Sequence, residues 1–295
     1  LDSVVFRPDD GMVYWGSQGE RLQSVALHGA PLHVGAPLQR GLFSGKECVV
    51  LTGATLSTEG NFDFIEQRLS LSDGKRLLLD SPFDYRSLAM VWVPPDIPEP
   101  GQTGYRRAVE QSILDVSRAA GGRTLGLFTS HLALRSCYEA VYGALRGEGI
   151  VVLGQGIDGS TKRLLDAFRA EARTVLLATA SFWEGIDVVG EALSVLVIPR
   201  LPFGVPTDPV FAARAELFDD PFNQYALPQA ILRFKQGFGR LIRSKSDRGV
   251  IVVLDRRIKS RNYGTAFLNS LPSCEVRSGP ARLLGREVSE WLGRK

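Results

Sequence analysis

Short apolar runs rich in β-branched residues alternate with longer amphipathic stretches along most of this chain, and that alternation constrains its fold most strongly. Thr174 to Ala178 and Gly249 to Leu254 have the length and composition of buried strands, whereas Tyr105 to Ala119 has the apolar spacing of a helix. Strands that alternate with helices form βαβ units with parallel strands. The sequence therefore predicts an α/β fold with a mainly parallel sheet and helices on both of its faces.

The region before about Gly41 differs from the rest, because Gly and Pro separate short strand-like pieces there, which predicts antiparallel or irregular structure. Those pieces are Met12 to Trp15, Ser24 to His28 and Pro31 to Val34. The predicted strands are Cys48 to Thr52, Leu77 to Leu79, Thr124 to Phe128, Ile150 to Leu153, Thr174 to Ala178, Ser194 to Ile198 and Gly249 to Leu254. The predicted helices are Tyr105 to Ala119, His131 to Arg146, Ser160 to Ala172 and Pro228 to Ser244.

Composition excludes several classes of protein without selecting one. The chain has 295 residues, of which 44% are hydrophobic, and the net charge of +3 is spread along its length, so charge alone does not decide whether it binds nucleic acid. Its apolar runs fall well short of the roughly 20 residues that a membrane span needs. Cys48, Cys137 and Cys274 lie too far apart for a zinc spacing or a disulfide framework, so we expect a reducing cytoplasm and no metal site in this chain.

The segment ILRFKQGFGRLIR, residues 231–243, carries most of the chemical information. A helix continuing to Ser244 would place Gln236, Arg240 and Arg243 at i, i+4 and i+7, on one face. Forked guanidinium groups can neutralise charge on a transferring γ-phosphoryl group. A solvated basic face is the more frequent interpretation of an isolated arginine pair.

Two glycines in the same segment favour the phosphate interpretation. Gly237 and Gly239 would lie inside the predicted helix, where each costs about 1 kcal/mol relative to alanine. Such a cost suggests that something approaches the backbone closely enough to require bare Cα atoms.

Gln236, Gly239, Arg240 and Arg243 match Q-x-x-G-R-x-x-R, which is motif VI of superfamily 2 helicases. Other segments follow in the order and wording of the DinG and XPD branch of DNA helicases, and the resemblance extends from about Pro31 to Leu271. They are LTGAT (residues 51–55, resembling motif III), SPFDY (81–85), LFTS (127–130, motif IV), TASFWEGID (179–187, motif V) and PRLPF (199–203).

The resemblance implies an ATP-dependent DNA helicase that moves along single-stranded DNA, in the 5′ to 3′ direction, by opening and closing a cleft between two RecA-like domains. Arg240 and Arg243 would contact the γ-phosphate, and Gln236 would help to orient it. The residues implied to line the same nucleotide cleft are Glu184, Gly185, Asp187 and Gly239. Those implied to touch DNA phosphates are Thr129, Ser130 and Thr179, and those implied in coupling are Thr52 and Thr55, although Gly53 stands where the family often has Ser.

Two of these positions can also be interpreted from the residues themselves. Thr129 and Ser130 follow a predicted strand and precede a helix, so they form either an ordinary helix cap or a phosphate seat. Asp187 follows a strand in a glycine-containing loop, where it would hold an arginine of motif VI, bind a ribose hydroxyl or only cap a turn.

The phosphate-gripping half of an ATP site is missing from the sequence. It contains no G-x-x-x-x-G-K-[ST] loop and no DEAH-like acidic pair. ATP and Mg²⁺ would therefore be bound mainly by a first motor domain absent from the chain, and we predict that the chain alone is inactive. We predict that residues 1–72 are the end of that first domain and that 73–295 form the second RecA-like domain. The family's four-cysteine iron–sulfur (4Fe-4S) site is also missing here and would belong to the absent part. The alternative is a non-catalytic nucleic-acid-binding module with the same fold.

Two further patterns imitate nucleotide motifs. Gly154, Gly156 and Gly159 spell G-x-G-x-x-G between a strand and a helix, but no acidic residue follows the next strand to bind a ribose, so we predict a connecting loop. Asp255 follows an apolar strand as in a Walker B motif, but its position after motif VI indicates a structural partner for Arg256 or Arg257.

Overall fold

The computed structural model describes residues 6–18, 24–58, 60–179, 182 and 193–293. The chain forms two compact units: the first comprises residues 1–78 and 203–232, and the second comprises 79–202 and 233–295. The described strands are β1 (Met12–Gln18), β2 (Val25–Pro31), β3 (Ala89–Val93), β4 (Thr124–Leu127), β5 (Val151–Gly154), β6 (Thr174–Ala178), β7 (Val195–Ile198), β8 (Gly249–Val253) and β9 (Glu275–Ser278). The described helices are α1 (Gly35–Leu38), α2 (Asp63–Leu69), α3 (Tyr85–Leu88), α4 (Tyr105–Ala119), α5 (His131–Gly147), α6 (Thr161–Ala170), α7 (Pro209–Ala215), α8 (Leu227–Phe238), α9 (Arg257–Ser260), α10 (Gly264–Asn269) and α11 (Leu284–Leu292).

The second unit is built on a seven-stranded sheet with the order β5-β6-β4-β7-β8-β3-β9. Every pairing between its strands is parallel, and in the middle of the sheet Leu125 lies opposite Leu176 on one side and Leu196 on the other. The prediction of a mainly parallel α/β sheet is therefore confirmed.

Both faces of this sheet are covered, which explains why its central strands β4, β6, β7 and β8 are buried at every position and mostly apolar. On one face, alternate residues of the strands form a core with the buried sides of α4, α5 and α11. The intervening residues, such as Leu176 and Ile251, are also fully buried, and Phe168 of α6 and Phe234 of α8 are buried outside the first core. The prediction of helices on both faces agrees with this burial.

The elements that the sequence predicted well are those of the sheet and the helices that cross over it. β6 and α4 have the predicted bounds, β4, β7, β8 and α5 differ from prediction by one residue at one end, and β5 differs by one residue at each end. β3 and β9 were missed. β3 runs almost directly into Pro94 and Pro95, which indicated a loop, and β9 is a half-exposed strand carrying Glu275 and Arg277.

The first unit begins with the antiparallel hairpin of β1 and β2, in which Trp15 stacks on His28 with ring centroids 5.0 Å apart. Antiparallel structure before Gly41 agrees with the prediction, but the predicted piece Pro31 to Val34 does not form a strand of its own, since β2 ends at Pro31 and α1 begins at Gly35.

Residues 203–232 belong to the first unit although they are far from it in sequence. The Arg214 guanidinium donates hydrogen bonds to the main-chain oxygens of Pro31 (2.8 Å) and Leu32 (3.2 Å), and the Arg68 guanidinium lies 5.6 Å from the ring centre of Tyr225. Phe218 stacks on the same tyrosine at 5.5 Å. These contacts hold residues 203–232 within the first unit, and the assignment of residues 1–72 and 73–295 to two motor domains stays a prediction.

The predicted strands Cys48 to Thr52 and Leu77 to Leu79 are wrong, because both segments have irregular backbone and are not part of any sheet in the described residues. The β-branched and leucine-rich composition of these segments predicted strands. In the described residues, however, no strand pairs with them, and their apolar side chains are exposed to solvent. None of the helices in the described ranges has the length and apolar character needed to cross a membrane.

Candidate functional site

Helix α8 carries the first half of the glycine and arginine segment, and aromatic packing fixes its buried side. Phe234 meets Phe267 edge to face at 5.5 Å, and the Phe238 ring lies 5.3 Å from that of Tyr85. Tyr85 is the last residue of SPFDY, so two segments that share the family resemblance pack on each other. The end of α8, residues 233–238, is thereby packed within the second unit.

The prediction that this helix continues to Ser244 is wrong, because it ends at Phe238. The amide of Gly239 still donates to the oxygen of Lys235 at 2.9 Å, but the Arg240 amide donates to Gly237 at 3.1 Å, three residues back, as in a tight turn. The glycines at 237 and 239 lower the helix propensity at this point. Arg240 and Arg243 therefore lie beyond α8, in a segment that we call the arginine turn, residues 239–243.

Asp247 fixes the end of the arginine turn, and the sequence analysis missed it. Its Oδ2 accepts hydrogen bonds from the amides of Arg243 and Ser244, both at 2.8 Å, and its Oδ1 accepts one from the Ser244 hydroxyl at 2.7 Å. The signal was present as an aspartate close to serines and a glycine, a composition typical of turns stabilised by side-chain acceptors.

The arginine turn lies at the beginning of β8. Leu241 is only 2% exposed, and a Cβ atom at Gly249, the first residue of β8, would collide with its side chain. Glycine at 249 is therefore required by the close approach of Leu241. Since the strands are parallel, the arginine turn lies at the amino ends of the strands. The residues that follow β4 and β6 lie at the opposite, carboxyl ends.

Arg240 and Arg243 are half-buried and do not extend into open solvent. Burial lowers the pKa of the Arg240 guanidinium. Burial also lowers the pKa of Arg243, the positive charge of Arg169 lowers it further, and Asp247 opposes both effects. Partial loss of water raises the free energy of these two positive charges, so an anion that reached them would be bound favourably.

Gln236, in the last turn of α8, also has a polar atom that is removed from water. Its side-chain oxygen is buried and accepts no hydrogen bond within the part of the chain that the structure describes. A buried acceptor of this kind costs free energy unless a partner arrives, which is consistent with a role in ligand binding.

Gly239 is exposed, and a Cβ atom there would make only ordinary contacts, the nearest with the Lys235 oxygen at 3.5 Å. Packing of the described residues does not explain a glycine at this position. Close approach by another molecule or domain stays a prediction.

A second group of polar residues lies at the carboxyl ends of β4, β5 and β6. The side-chain oxygen of Gln155 accepts hydrogen bonds from the Thr179 amide (2.7 Å) and from the Thr179 hydroxyl (3.0 Å). His131 Nε2 lies 3.3 Å from the same hydroxyl. Thr179 is thus held between two side chains, Gln155 and His131, that the sequence analysis did not single out.

Ser130 is the N-cap of α5, as the sequence predicted. Its hydroxyl oxygen accepts a hydrogen bond from the Ala133 amide at 3.2 Å, and its backbone is extended, with φ −148° and ψ 146°. Thr129 is half-buried and Ser130 is exposed. The structure therefore brings Ser130, through the adjacent His131, close to Thr179, whereas a role of these three residues in DNA binding stays a prediction.

The remaining predicted site residues are not brought into either group. Thr52 is exposed and Thr55 is half-buried, and both lie in the first unit. Glu184, Gly185 and Asp187 lie outside the described residues.

The G-x-G-x-x-G pattern forms a loop closed by its own side chains. The Gly154 amide, which would have to face a pyrophosphate, donates instead to Asp158 Oδ2 at 2.7 Å, and the Tyr138 hydroxyl donates to Asp158 Oδ1 at 3.2 Å. A Cβ atom at Gly154 would lie 2.9 Å from the Tyr138 ring. This arrangement agrees with a connecting loop.

Asp255 is fully buried and has the structural role that was predicted for it. Its two oxygens pair with the Arg257 guanidinium, at 2.8 Å from Nε and 2.6 Å from Nη2, and Oδ2 also accepts the Leu201 amide at 3.0 Å. The PRLPF segment is therefore fastened to the end of β8. Arg256 pairs with Glu99 instead, at 3.3 Å.

The cysteines do not provide an iron–sulfur site. Cys48 is exposed, Cys137 is buried and Cys274 is half-buried. Across the described ranges, no three His, Cys, Asp or Glu side chains lie together as a metal site requires.

Comparison with known proteins supports the family resemblance. The family profile described as "Helicase C-terminal domain" matches residues 113–274. The chain is 37% identical over 289 residues to "3'-5' exonuclease DinG" of Bacillus subtilis, covering 94% of this chain and 31% of that protein. It is 38% identical over 267 residues to "ATP-dependent DNA helicase YoaA" of Haemophilus influenzae, covering 89% and 41%. It is 38% identical over 275 residues to "ATP-dependent helicase DinG" of Mycobacterium tuberculosis, covering 90% and 41%.

Among solved structures, "S. cerevisiae Dbp5 bound to RNA and ADP BeF3" is similar with a TM-score of 0.49 and 16% identity, covering 78% of this chain and 51% of that chain. "Structure of S. tokodaii Xpd4" gives a TM-score of 0.47 at 14% identity, covering 66% and 39%. The chain spans between 31% and 41% of the length of the three curated relatives. It belongs to the helicase C-terminal domain family, in the DinG-like branch, and corresponds to a C-terminal part of those proteins.

Proposed function

We propose that this chain is the C-terminal motor part of a cytoplasmic DinG-like, ATP-dependent DNA helicase, and that it supplies Arg240 and Arg243 to a nucleotide held mainly by a preceding motor domain. The observation that carries the proposal is the arginine turn. There, two half-buried guanidinium groups follow a helix in the Q-x-x-G-R-x-x-R spacing, and Asp247 holds the main chain of the turn.

The nucleotide part of the proposal follows from charge and preorganisation. An arginine stabilises a transferring phosphoryl group best when its position is set before the ligand arrives, because no reorganisation is then needed during the reaction. Asp247 sets the backbone at Arg243, and aromatic packing of Phe238 sets the end of α8. Gln236 adds a buried side-chain oxygen in the same segment, which can accept a hydrogen bond from a water molecule or a hydroxyl group but not from a phosphate oxygen.

ATP and Mg²⁺ fit this chain only in part. Arg240, Arg243 and Gln236 suit the γ-phosphate end of ATP, and Glu184, Gly185, Asp187 and Gly239 are proposed to line the same cleft. The loop that cradles the other phosphates and the acidic ligands of Mg²⁺ would come from the first motor domain of the same protein, of which residues 1–72 would be the end. Thr52 and Thr55, in LTGAT, would couple the two domains.

The nucleic-acid part rests on the carboxyl ends of β4 and β6. The Ser130 cap opens a helix of 17 residues, so amides and the positive end of its dipole face outward there. Thr129, Ser130 and Thr179 are proposed to contact phosphates of single-stranded DNA. The arginine turn lies at the amino ends of the strands, so ATP and DNA would be bound at separate places on the second unit.

Names of the relatives favour this function over a purely binding role. The Haemophilus and Mycobacterium proteins are named ATP-dependent helicases, whereas the Bacillus protein is named an exonuclease. Movement from 5′ to 3′ and an iron–sulfur cluster in the preceding domain belong to the proposal as well. The rival function is a non-catalytic nucleic-acid-binding module that kept this fold.

The experiment compares DNA-stimulated ATP hydrolysis by the intact protein with that of Arg240→Ala and Arg243→Ala. We expect each substitution to lower kcat by about 10³-fold or more, as for other arginine fingers, while ATP binding is largely retained. Arg240→Lys keeps the charge but not the fork, so it should restore only a small part of the activity.

The matched control is Arg248→Ala. Its guanidinium donates to the main-chain oxygen of Ser87 at 3.0 Å and lies outside the proposed site, so kcat should stay near that of the unchanged protein. Undiminished DNA-stimulated hydrolysis in Arg240→Ala would overturn the proposal, as would an intact protein without any ATP hydrolysis. Stronger stimulation by RNA than by DNA would contradict the choice of substrate.

A further inference from the structure

The first unit contains an open cavity of about 250 Å³ that the proposed function does not use. Helix α2 lines one side of it, and the beginning of α8 with the preceding π-helical turn, Phe222–Ala226, lines the other. Such turns are rare and frequently occur at functional sites. The described residues that line the cavity all belong to residues 1–78 and 203–232, so it lies within one compact unit.

Four carboxamide side chains line this cavity, which we call the amide cavity: Asn61, Gln67, Asn223 and Gln224. Asp220 orients two of them. The Asn223 side-chain nitrogen donates to Asp220 Oδ2 at 2.6 Å, so the oxygen of that side chain remains as an acceptor. The Gln224 side-chain oxygen accepts the Asp220 amide at 3.1 Å, so its nitrogen remains as a donor. Neighbouring residues therefore supply one acceptor and one donor.

The α2 side of the amide cavity adds further polar groups. Asn61 Oδ1 accepts the Asp63 amide at 3.2 Å, so the side-chain nitrogen of Asn61 remains as a donor. Gln67 is exposed, and within the described residues its side chain makes no hydrogen bond. Phe64 and Ile231 line the same cavity and supply apolar surface. Apolar surface with paired donors and acceptors suits a planar ring that has a polar edge.

Charge and size disfavour other small ligands. Among the described residues that line the amide cavity none is Lys or Arg, and Asp63 is acidic, so a phosphate would find no positive partner. One carboxylate is too few for a divalent cation, and Asp63 already lies 3.6 Å from the Arg76 guanidinium. The volume of about 250 Å³ is below the roughly 300 to 1,000 Å³ of pockets for drug-sized molecules, so a whole nucleotide would not be enclosed.

We propose that the amide cavity binds one nucleobase. Carboxamides form paired hydrogen bonds with base edges, and Phe64 offers an aromatic surface for stacking. The inference rests on the proposed function, in which the protein binds both single-stranded DNA and ATP, and either of them could supply the base. It adds a contact with a base to the phosphate contacts proposed for Thr129, Ser130 and Thr179.

Gln67→Ala is the test variant, because the side chain is exposed and its loss should leave the fold intact. We would measure binding of three ligands to the intact protein: a single-stranded oligonucleotide of mixed sequence, an abasic oligonucleotide of the same length, and ATP. We expect Gln67→Ala to weaken binding of the mixed-sequence oligonucleotide or of ATP about fivefold or more, and to leave binding of the abasic oligonucleotide unchanged. Gln18→Ala removes an exposed carboxamide of β1 outside the cavity and should change none of the three.

Photochemical labelling of the intact protein gives a second measurement and identifies the source of the base. One sample would contain an oligonucleotide carrying iodouracil, and the other would contain azido-ATP. We expect one of these two probes to label Phe64, which mass spectrometry would locate in the tryptic peptide of residues 47–68. Label from the oligonucleotide would assign the base to DNA, and label from azido-ATP would assign it to the nucleotide.

Unchanged binding of the mixed-sequence oligonucleotide and of ATP by Gln67→Ala, or label at Phe64 from neither probe, would overturn the inference. So would equal weakening for the mixed-sequence and abasic oligonucleotides, because the contact would then be with the DNA backbone. A lower melting temperature of the intact Gln67→Ala protein with unchanged binding would show that a segment of the same polypeptide fills the cavity, which also overturns the inference. In each case, Arg240-dependent ATP hydrolysis would leave the proposed function standing.

Discussion

Replacing Asp247 by alanine should separate the position of the arginine turn from its charge. The carboxylate accepts three hydrogen bonds, from the amides of Arg243 and Ser244 and from the Ser244 hydroxyl, at 2.7 to 2.8 Å. Asp247→Ala removes all three acceptors but leaves both arginines in the sequence. The turn would then lose the contacts that fix the main chain at Arg243.

The size of the effect follows from those bonds. A net contribution of roughly 1 kcal/mol for each bond gives about 3 kcal/mol, and because Asp247 and Ser244 are only half-buried, water would replace part of it. We therefore expect the free energy of unfolding to fall by about 2 kcal/mol. In the intact protein, kcat for ATP hydrolysis should fall by at least about tenfold, since Arg243 would no longer be held in place before the nucleotide binds.

Urea unfolding of this chain and DNA-stimulated ATP hydrolysis by the intact protein provide the two measurements. Asp247→Asn is the matched control, because the amide oxygen can still accept from both main-chain amides and the Ser244 hydroxyl can turn to accept from the amide nitrogen. It should keep most of the stability and most of the activity. If Asp247→Ala unfolds at the same urea concentration as the unchanged chain and turns over ATP normally, the role assigned to Asp247 is incorrect.

Two further predictions concern stability. Arg257→Leu should lower the free energy of unfolding by about 3 kcal/mol in urea titrations, because it leaves the fully buried Asp255 carboxylate with main-chain donors only. The double variant with Asp255→Asn should recover part of that loss, and a loss below about 1 kcal/mol for Arg257→Leu would contradict the pairing. Ser130→Ala should lower the free energy of unfolding by about 1 kcal/mol through loss of the α5 cap, whereas Ser130→Asp should keep most of the stabilisation that the cap provides. Equal thermal stability of the two variants would argue against the cap.

The fold of the second unit could be predicted because its signals are local. Strands such as β6, TVLLA, are apolar after their first residue, and helices such as α4 have one apolar side, so periodicity and composition identify both. β3 could not be recognised in the same way, since proline follows it closely and its place in the sheet depends on β8 and β9, which lie more than 150 residues further along the chain.

The end of α8 illustrates a limit of periodicity. The spacing of Gln236, Arg240 and Arg243 is helical, but the two glycines and the Asp247 acceptor favour a turn, and Leu241 must pack over Gly249. The glycines and the nearby Asp247 are local signals that compete with the helical spacing, whereas the packing of Leu241 over Gly249 is a tertiary interaction. The helical backbone predicted for residues 239–243 was therefore wrong, and the site role of the residues that match the helicase motif stays a prediction.

The polar group around Thr179 shows a second limit. Gln155 follows β5 and His131 opens α5, and neither position has a distinctive sequence signal by itself. They become recognisable only when β5, β6 and β4 are known to be neighbours, because the ends of adjacent parallel strands then meet at one edge. The predicted strands Cys48 to Thr52 and Leu77 to Leu79 show the converse, since an apolar, strand-like sequence has irregular backbone where no strand of the described residues pairs with it.

The most direct test of the proposed function is a structure of the intact protein with single-stranded DNA and an ATP analogue that mimics the transferring γ-phosphoryl group. We predict that guanidinium nitrogens of Arg240 and Arg243 lie within about 3.5 Å of oxygens of that γ-phosphoryl group. Guanidinium groups that stay more than about 8 Å from every phosphate, in a complex that is otherwise closed on the nucleotide, would contradict it.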